Sequence, residues 1–120
     1  AIIVMDERTC MVRALLSLLE FYAEESCGQC TPCREGVPWL YKIVERIEYG
    51  KADENDVDML IEISENILGN TICPLGDAAA MPTLSIVRKF RDEFLEHIKN
   101  RGCMFDNLPL APVMEGRSWV

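Results

Sequence analysis

ESCGQCTPCREGVPWLYKIV, residues 25–44, holds three cysteines in its first nine positions and then changes character. Beyond Thr31-Pro32 the apolar residues fall at helical spacing, with Val37, Leu40, Tyr41, Val44 and Ile47 on one stripe up to a breaker at Gly50. A threonine can cap a helix and a proline fits its first position, so the spacing predicts a helix with Thr31 as N-cap and Cys33 in its opening turn. Pro38 lies near that turn, where a missing N–H costs least.

Outward from this stretch the same period recurs. Upstream, Val12, Leu15, Leu16, Leu19 and Tyr22 oppose Arg13, Ser17 and Glu20, which predicts a helix from about Thr9 to Glu24. Downstream, Asp53 is placed to cap a helix carrying Val57, Leu60, Ile61, Ser64, Ile67 and Leu68, closed by Gly69. NTICPLGDAAAMP, residues 70–82, reads as a loop, and Pro82 as the start of a helix with Leu84, Val87, Phe90 or Arg91, Phe94, Leu95 and Ile98, ending near Gly102. Four amphipathic helices predict an all-α fold, a four-helix bundle over residues 8–102. Its second and third helices run out and back, which brings the two cysteine loops to one end.

The ends read differently. AIIVM, residues 1–5, is β-branched and apolar, as in a buried strand, and is expected to close an upstream β-containing domain at residues 1–7. Residues 103–120 have no period and are expected to be an extended tail, either a disordered terminus or an apolar strap lying on a partner subunit.

Composition narrows the function classes. A chain of 120 residues suits one small domain, and 49% hydrophobic with 27% charged residues suits a folded one. Twenty acidic against twelve basic residues give a net charge of -8, which disfavours nucleic acid, and no apolar run approaches the roughly 18 residues of a membrane span. No secretion signal is recognisable, so a reducing compartment is expected.

That compartment argues against disulfides among Cys10, Cys27, Cys30, Cys33, Cys73 and Cys103. A thioredoxin-like dithiol needs a single C-x-x-C beside a βαβ unit and leaves the third cysteine unexplained. Zinc usually gathers two separated pairs of ligands, whereas here three cysteines cluster and the next stands far away; a three-plus-one zinc site is the alternative kept open. C-x2-C-x2-C suits three corners of a four-iron cubane, and Cys73-Pro74 has the form in which ferredoxin runs end. The pattern favours a [4Fe-4S] cluster.

ESCGQCTPCREG, followed by ICPLGDAAAMP and RKFRDEF, resembles the C-terminal iron-sulfur domain of the NADH-binding flavoprotein subunit of respiratory complex I, from the AIIVMDE run to about Lys99. The resemblance implies that Cys27, Cys30, Cys33 and Cys73 ligate one [4Fe-4S] cluster. It also implies an NADH dehydrogenase in which an upstream domain binds FMN and NAD(H), and electrons pass singly from the flavin through the cluster to further iron-sulfur centres and quinone. These 120 residues hold no glycine-rich phosphate loop, so this piece alone is expected to bind neither nucleotide and not to be catalytic. The implied partners are other subunits of a multi-subunit complex, including another iron-sulfur subunit, in the peripheral arm on the cytoplasmic or mitochondrial matrix side. NAD-dependent hydrogenase and formate dehydrogenase subunits share the resemblance and stand as the alternative, with a zinc-stabilised helical interaction domain behind them.

Around the cluster, Gly28 and Thr31 are expected to supply backbone freedom and N–H groups, Arg34 a positive charge, and Pro74, Leu75 and Gly76 a shield. The competing role for Arg34 is an ion pair with Glu35 or Glu25. Cys10 is expected to be a small buried hydrophobe and Cys103 a free thiol, neither a ligand. His97, beside Glu93 and Glu96, is expected on a solvated face, and the acidic run Asp53 to Asp58 is expected to serve a helix N-terminus.

Overall fold

Five α-helices build the fold in the computed structural model, which describes residues 2–105: α1 Met11–Glu25, α2 Thr31–Glu48, α3 Glu54–Ile67, α4 Leu75–Lys89 and α5 Arg91–Lys99. The chain is all-α among the described residues, with α1 packed along α2, α3 along α4, and α5 across the end. Leu15, Leu19, Leu40, Ile47, Leu60 and Phe94 are fully buried, and each contributes roughly 1.5–3 kcal/mol through the apolar surface removed from water.

Three helix starts follow from sequence. Cys10 caps α1, its Sγ accepting from the Arg13 N–H. Asp53 caps α3 in a full capping box, accepting from Asn55 and Asp56 N–H while the Asp56 carboxylate accepts from the Asp53 N–H at 2.9 Å. The acidic run thus serves the helix N-terminus, as expected, and in addition Asp56 pairs with Arg46 and Asp58 with Arg91. For α2 the cap is Cys30, with Thr31 and Pro32 in the first turn, one residue earlier than the sequence suggests.

The fourth predicted helix differs most. It begins at Leu75 rather than Pro82 and breaks at Phe90, which ends α4 and starts α5 at φ -115° and ψ 27°. Pro82 therefore lies inside α4. The helix carries it because Ala78 to Ala80 are strong helix formers, and the buried Thr83 hydroxyl donates to the Ala79 carbonyl at 2.8 Å beside the ring. The break changes the helical phase, which moves His97 from the expected solvated face to complete burial.

Residues 2–6 form no strand; Ile2, Ile3 and Val4 are exposed, since a strand needs a neighbouring strand to bond and none lies among the described residues. Of the expected tail, only residues 103–105 are described: Cys103 is buried and Phe105 packs on the core. The rest of that expectation lies outside the described residues.

Candidate metal centre

The loop before α2 and the loop before α4 lie at the same end of the bundle, and Ile67 packs against the helix turn that follows each. At the end of α3, this fully buried side chain stands 2.7 Å from where a Cβ on Gly36 would be and 3.1 Å from the same point on Gly76. Gly36 is three residues past Cys33, and Gly76 three past Cys73. A side chain at either glycine would hold the two cysteine loops apart.

Each loop is tied down locally. Gly28 has φ +74°, a backbone conformation that glycine adopts without strain, and its N–H donates to Ser26 Oγ at 3.4 Å. Ser26 Oγ also lies 3.2 Å from Cys33 Sγ. Arg34 wraps the loop: its guanidinium donates to the Gly28 carbonyl at 3.2 Å and to Thr31 Oγ1 at 3.4 Å, and it pairs with Glu35 at 3.0 Å. The expected ion pair with Glu35 forms, and the same guanidinium also binds the cysteine loop through Gly28 and Thr31. In the second loop Thr71 Oγ1 donates to the Cys73 carbonyl at 2.8 Å, and Asp77 accepts from the Gly69 N–H at 2.8 Å.

The thiols are graded in exposure. Cys33 is buried, Cys30 half-buried, and Cys27 and Cys73 are exposed. Cys30 and Pro74 are the N-caps of α2 and α4, and neither helix has a side-chain cap, unlike α1 and α3. First-turn N–H groups of two helices thus point from the cysteine end, with the positive ends of their dipoles. Thiols on two loops, with uncapped helix turns following each and a guanidinium at the first, are the kinds of group an anionic iron-sulfur cluster takes. Pro74, Leu75 and Gly76 form the N-cap and first turn of α4, and Gly76 is buried beneath Thr71. Sequence reasoning passed over Ser26 and Thr71; a Ser directly before the first motif cysteine was the available signal.

A second group of donors sits at the other end of α2. Cys10, Glu48, His97 and Cys103 are all buried and their donor atoms converge. Burial pushes the Cys10 thiol well above its ordinary range, with the nearby Glu48 carboxylate adding to that rise. Here the structure corrects the expectation of a solvated His97; Cys103 is a free cysteine, as expected, and is buried near Cys10. Glu48 gave no signal, because a glutamate in the last turn of an amphipathic helix ordinarily faces water.

Comparison with known proteins bears on the first site. The family described as the NADH-ubiquinone oxidoreductase-F iron-sulfur binding region matches residues 13–97. The F subunit of NADH-quinone oxidoreductase in Mycobacterium bovis is 53% identical over 106 residues, covering 88% of this chain and 24% of the relative. Its namesake in Streptomyces coelicolor is 54% identical over 101 residues, 84% of this chain and 22% of the relative. The mitochondrial NADH dehydrogenase [ubiquinone] flavoprotein 1 of Dictyostelium discoideum is 54% identical over 99 residues, 82% of this chain and 21% of the relative. The chain spans about a quarter of the length of the curated relatives it matches.

Proposed function

Because the chain belongs to the family of the NADH-ubiquinone oxidoreductase-F iron-sulfur binding region, we propose that Cys27, Cys30, Cys33 and Cys73 hold one [4Fe-4S] cluster and that this domain relays single electrons within an NADH dehydrogenase. The observation that carries the reading is Ile67 packed against both Gly36 and Gly76, which draws the loop of Cys33 and the loop of Cys73 to one end of the bundle.

When bound, the cluster supplies one-electron redox chemistry. The chain's own residues do the rest. Cys33 anchors from beneath, Cys27 and Cys73 from the surface, and the uncapped first turns of α2 and α4 aim N–H donors toward the thiolate end. Arg34 fixes the Gly28 carbonyl and adds a positive charge that favours the reduced form. FMN and NAD(H) belong to the upstream part of the full subunit, quinone lies at the far end of the chain of centres, and the partners are other subunits of the peripheral arm, among them another iron-sulfur subunit. The names of these relatives favour a respiratory complex over a hydrogenase or a formate dehydrogenase.

The test is iron and acid-labile sulfide in the full-length subunit purified without oxygen. About four of each per chain are expected, together with a brown colour that bleaches on reduction and is lost in Cys73→Ser. Absence of iron and sulfide from the wild-type subunit overturns the proposal.

A further inference from the structure

We infer that Cys10, Glu48, His97 and Cys103 form a second metal site, a closed tetrahedral zinc site at the opposite end of the bundle. The inference goes beyond the iron-sulfur reading and does not depend on it. Cys33 and Glu48 sit near opposite ends of α2, roughly 22 Å apart along its axis at about 1.5 Å per residue.

Four separate segments deliver the donors: the N-cap of α1, the last residue of α2, the last turn of α5 and the turn beyond it. One ligand atom from each lies within 4.8 Å of all the others, and all four residues are buried. Cys10 Sγ is 3.3 Å from His97 Nε2 and 3.8 Å from Glu48 Oε2, and His97 Nε2 is 3.6 Å from Glu48 Oε2. With Zn–S near 2.3 Å and Zn–N or Zn–O of about 2.0–2.1 Å, the edges of a tetrahedron come to about 3.4–3.8 Å. The three separations among Cys10, Glu48 and His97 fall close to that range, and Cys103 Sγ, within 4.8 Å of each, completes the set by a small inward movement.

Each donor is also held from outside in a way that leaves a lone pair facing the centre. His97 Nδ1 donates to the Glu93 carbonyl at 2.8 Å, which leaves Nε2 bare. Arg13 occupies Glu48 Oε1 at 2.8 Å and leaves Oε2 toward the thiols. Cys10 Sγ accepts from the Arg13 N–H and Cys103 Sγ from the Phe105 N–H, both at 3.4 Å. Glu93 itself is fixed by the Met11 N–H at 2.7 Å. Gly50, at φ +64°, lets the chain pass against the Arg101 backbone, and the Gly102 N–H bonds back to the His97 carbonyl at 3.0 Å, so the turn carrying Cys103 is folded onto the end of α2.

Charge permits a metal here without leaving a buried imbalance, since Arg13 already offsets the Glu48 carboxylate. Zinc displaces the two thiol protons to solvent, and its two positive charges with that of Arg13 balance two thiolates and one carboxylate. Two cysteines, a histidine and a carboxylate in tetrahedral array suit zinc among the common divalent ions.

The experiment is zinc content and zinc-edge X-ray absorption of the full-length subunit, purified without oxygen from zinc-replete cells. About one zinc per chain is expected, with two sulfur and two nitrogen or oxygen neighbours. Cys103→Ser should lose that zinc and keep its iron, and Cys73→Ser should keep the zinc. No zinc in the wild type, with no thiolate-to-cobalt absorption when cobalt(II) is added to it, overturns the site. So does an all-sulfur shell, which would put the zinc on the motif cysteines. If Cys103→Ser fails to fold, the wild-type absorption spectrum still decides. Zinc without iron would sink the iron-sulfur reading alone, and iron without zinc this one alone.

Discussion

The Cδ1 of Ile67 lies 2.7 Å from the position a Cβ on Gly36 would take, so the second turn of α2 and the last turn of α3 meet through a side chain filling the space of an absent one. Ordinarily Gly→Ala inside a helix gains about 1 kcal/mol. Here the sign reverses: Gly36→Ala should destabilise the subunit by roughly 1–2 kcal/mol, because overpacking costs about 1–3 kcal/mol. In denaturant titrations, combining it with Ile67→Ala should cost less than the two single changes added together. Simple additivity would mean that the two positions do not press on each other.

The proposed function gives Arg34 two jobs that substitution can separate. Its side chain is about half exposed, so its field is discounted for solvent, and Arg34→Ala should lower the reduction potential by roughly 20–40 mV for one electron. Arg34→Lys keeps the charge but not the fork reaching Gly28 and Thr31. A redox titration in which Lys restores the potential fully assigns the effect to charge, and one in which it restores little assigns it to loop geometry. An unchanged potential in Arg34→Ala removes the residue from tuning.

Tyr41 offers a test at alkaline pH. Burial, followed by the Glu45 carboxylate that its hydroxyl bonds at 3.2 Å, raises its pKa from 10.0 to about 12. A raised folded-state value means that this contribution to stability is intact below pH 10.0 and is lost as pH climbs toward about 12. The ultraviolet difference between wild type and Tyr41→Phe should show one tyrosinate with a midpoint at about 12. A midpoint at 10.0 would show that the hydroxyl stands in open water.

The Arg13–Glu48 pair predicts an asymmetry. Glu48 is buried and Arg13 mostly so, at 2.8 Å. Removing the cation alone leaves a buried carboxylate, and Arg13→Met should cost about 3–5 kcal/mol. Pairing it with Glu48→Gln should recover part of the loss, as read by thermal unfolding of the two variants side by side.

Much of this arrangement is legible in the amino-acid order. The stripe from Val37 to Ile47, the Asp53 cap and the breakers at Gly50 and Gly69 mark α2 and α3 nearly to the residue, because local chemistry alone decides such features. The two cysteine motifs stand out because their spacing is rare by chance. Pro82 misleads, since a proline reads as a helix start, and only tertiary packing shows that the alanines before it are already helical. His97 is hidden for the same reason: without the break at Phe90 its helix has the wrong phase. The pairing of Cys10 with Cys103 joins distant parts of the chain, and no periodicity carries information over that range.

The contrast in capping has a consequence for how the bundle opens. α1 and α3 close their first turns with Cys10 and Asp53, while α2 and α4 begin beside motif cysteines with no side chain to take their amides. Helix ends without partners open most easily, and exchange of their amide hydrogens reports it. Loss of iron would therefore be felt as fraying of two helix starts, with the packed middle and the Glu48 end still protected. The bundle wears from one side only, and oxidative damage to the relay need not unfold the domain that carries it.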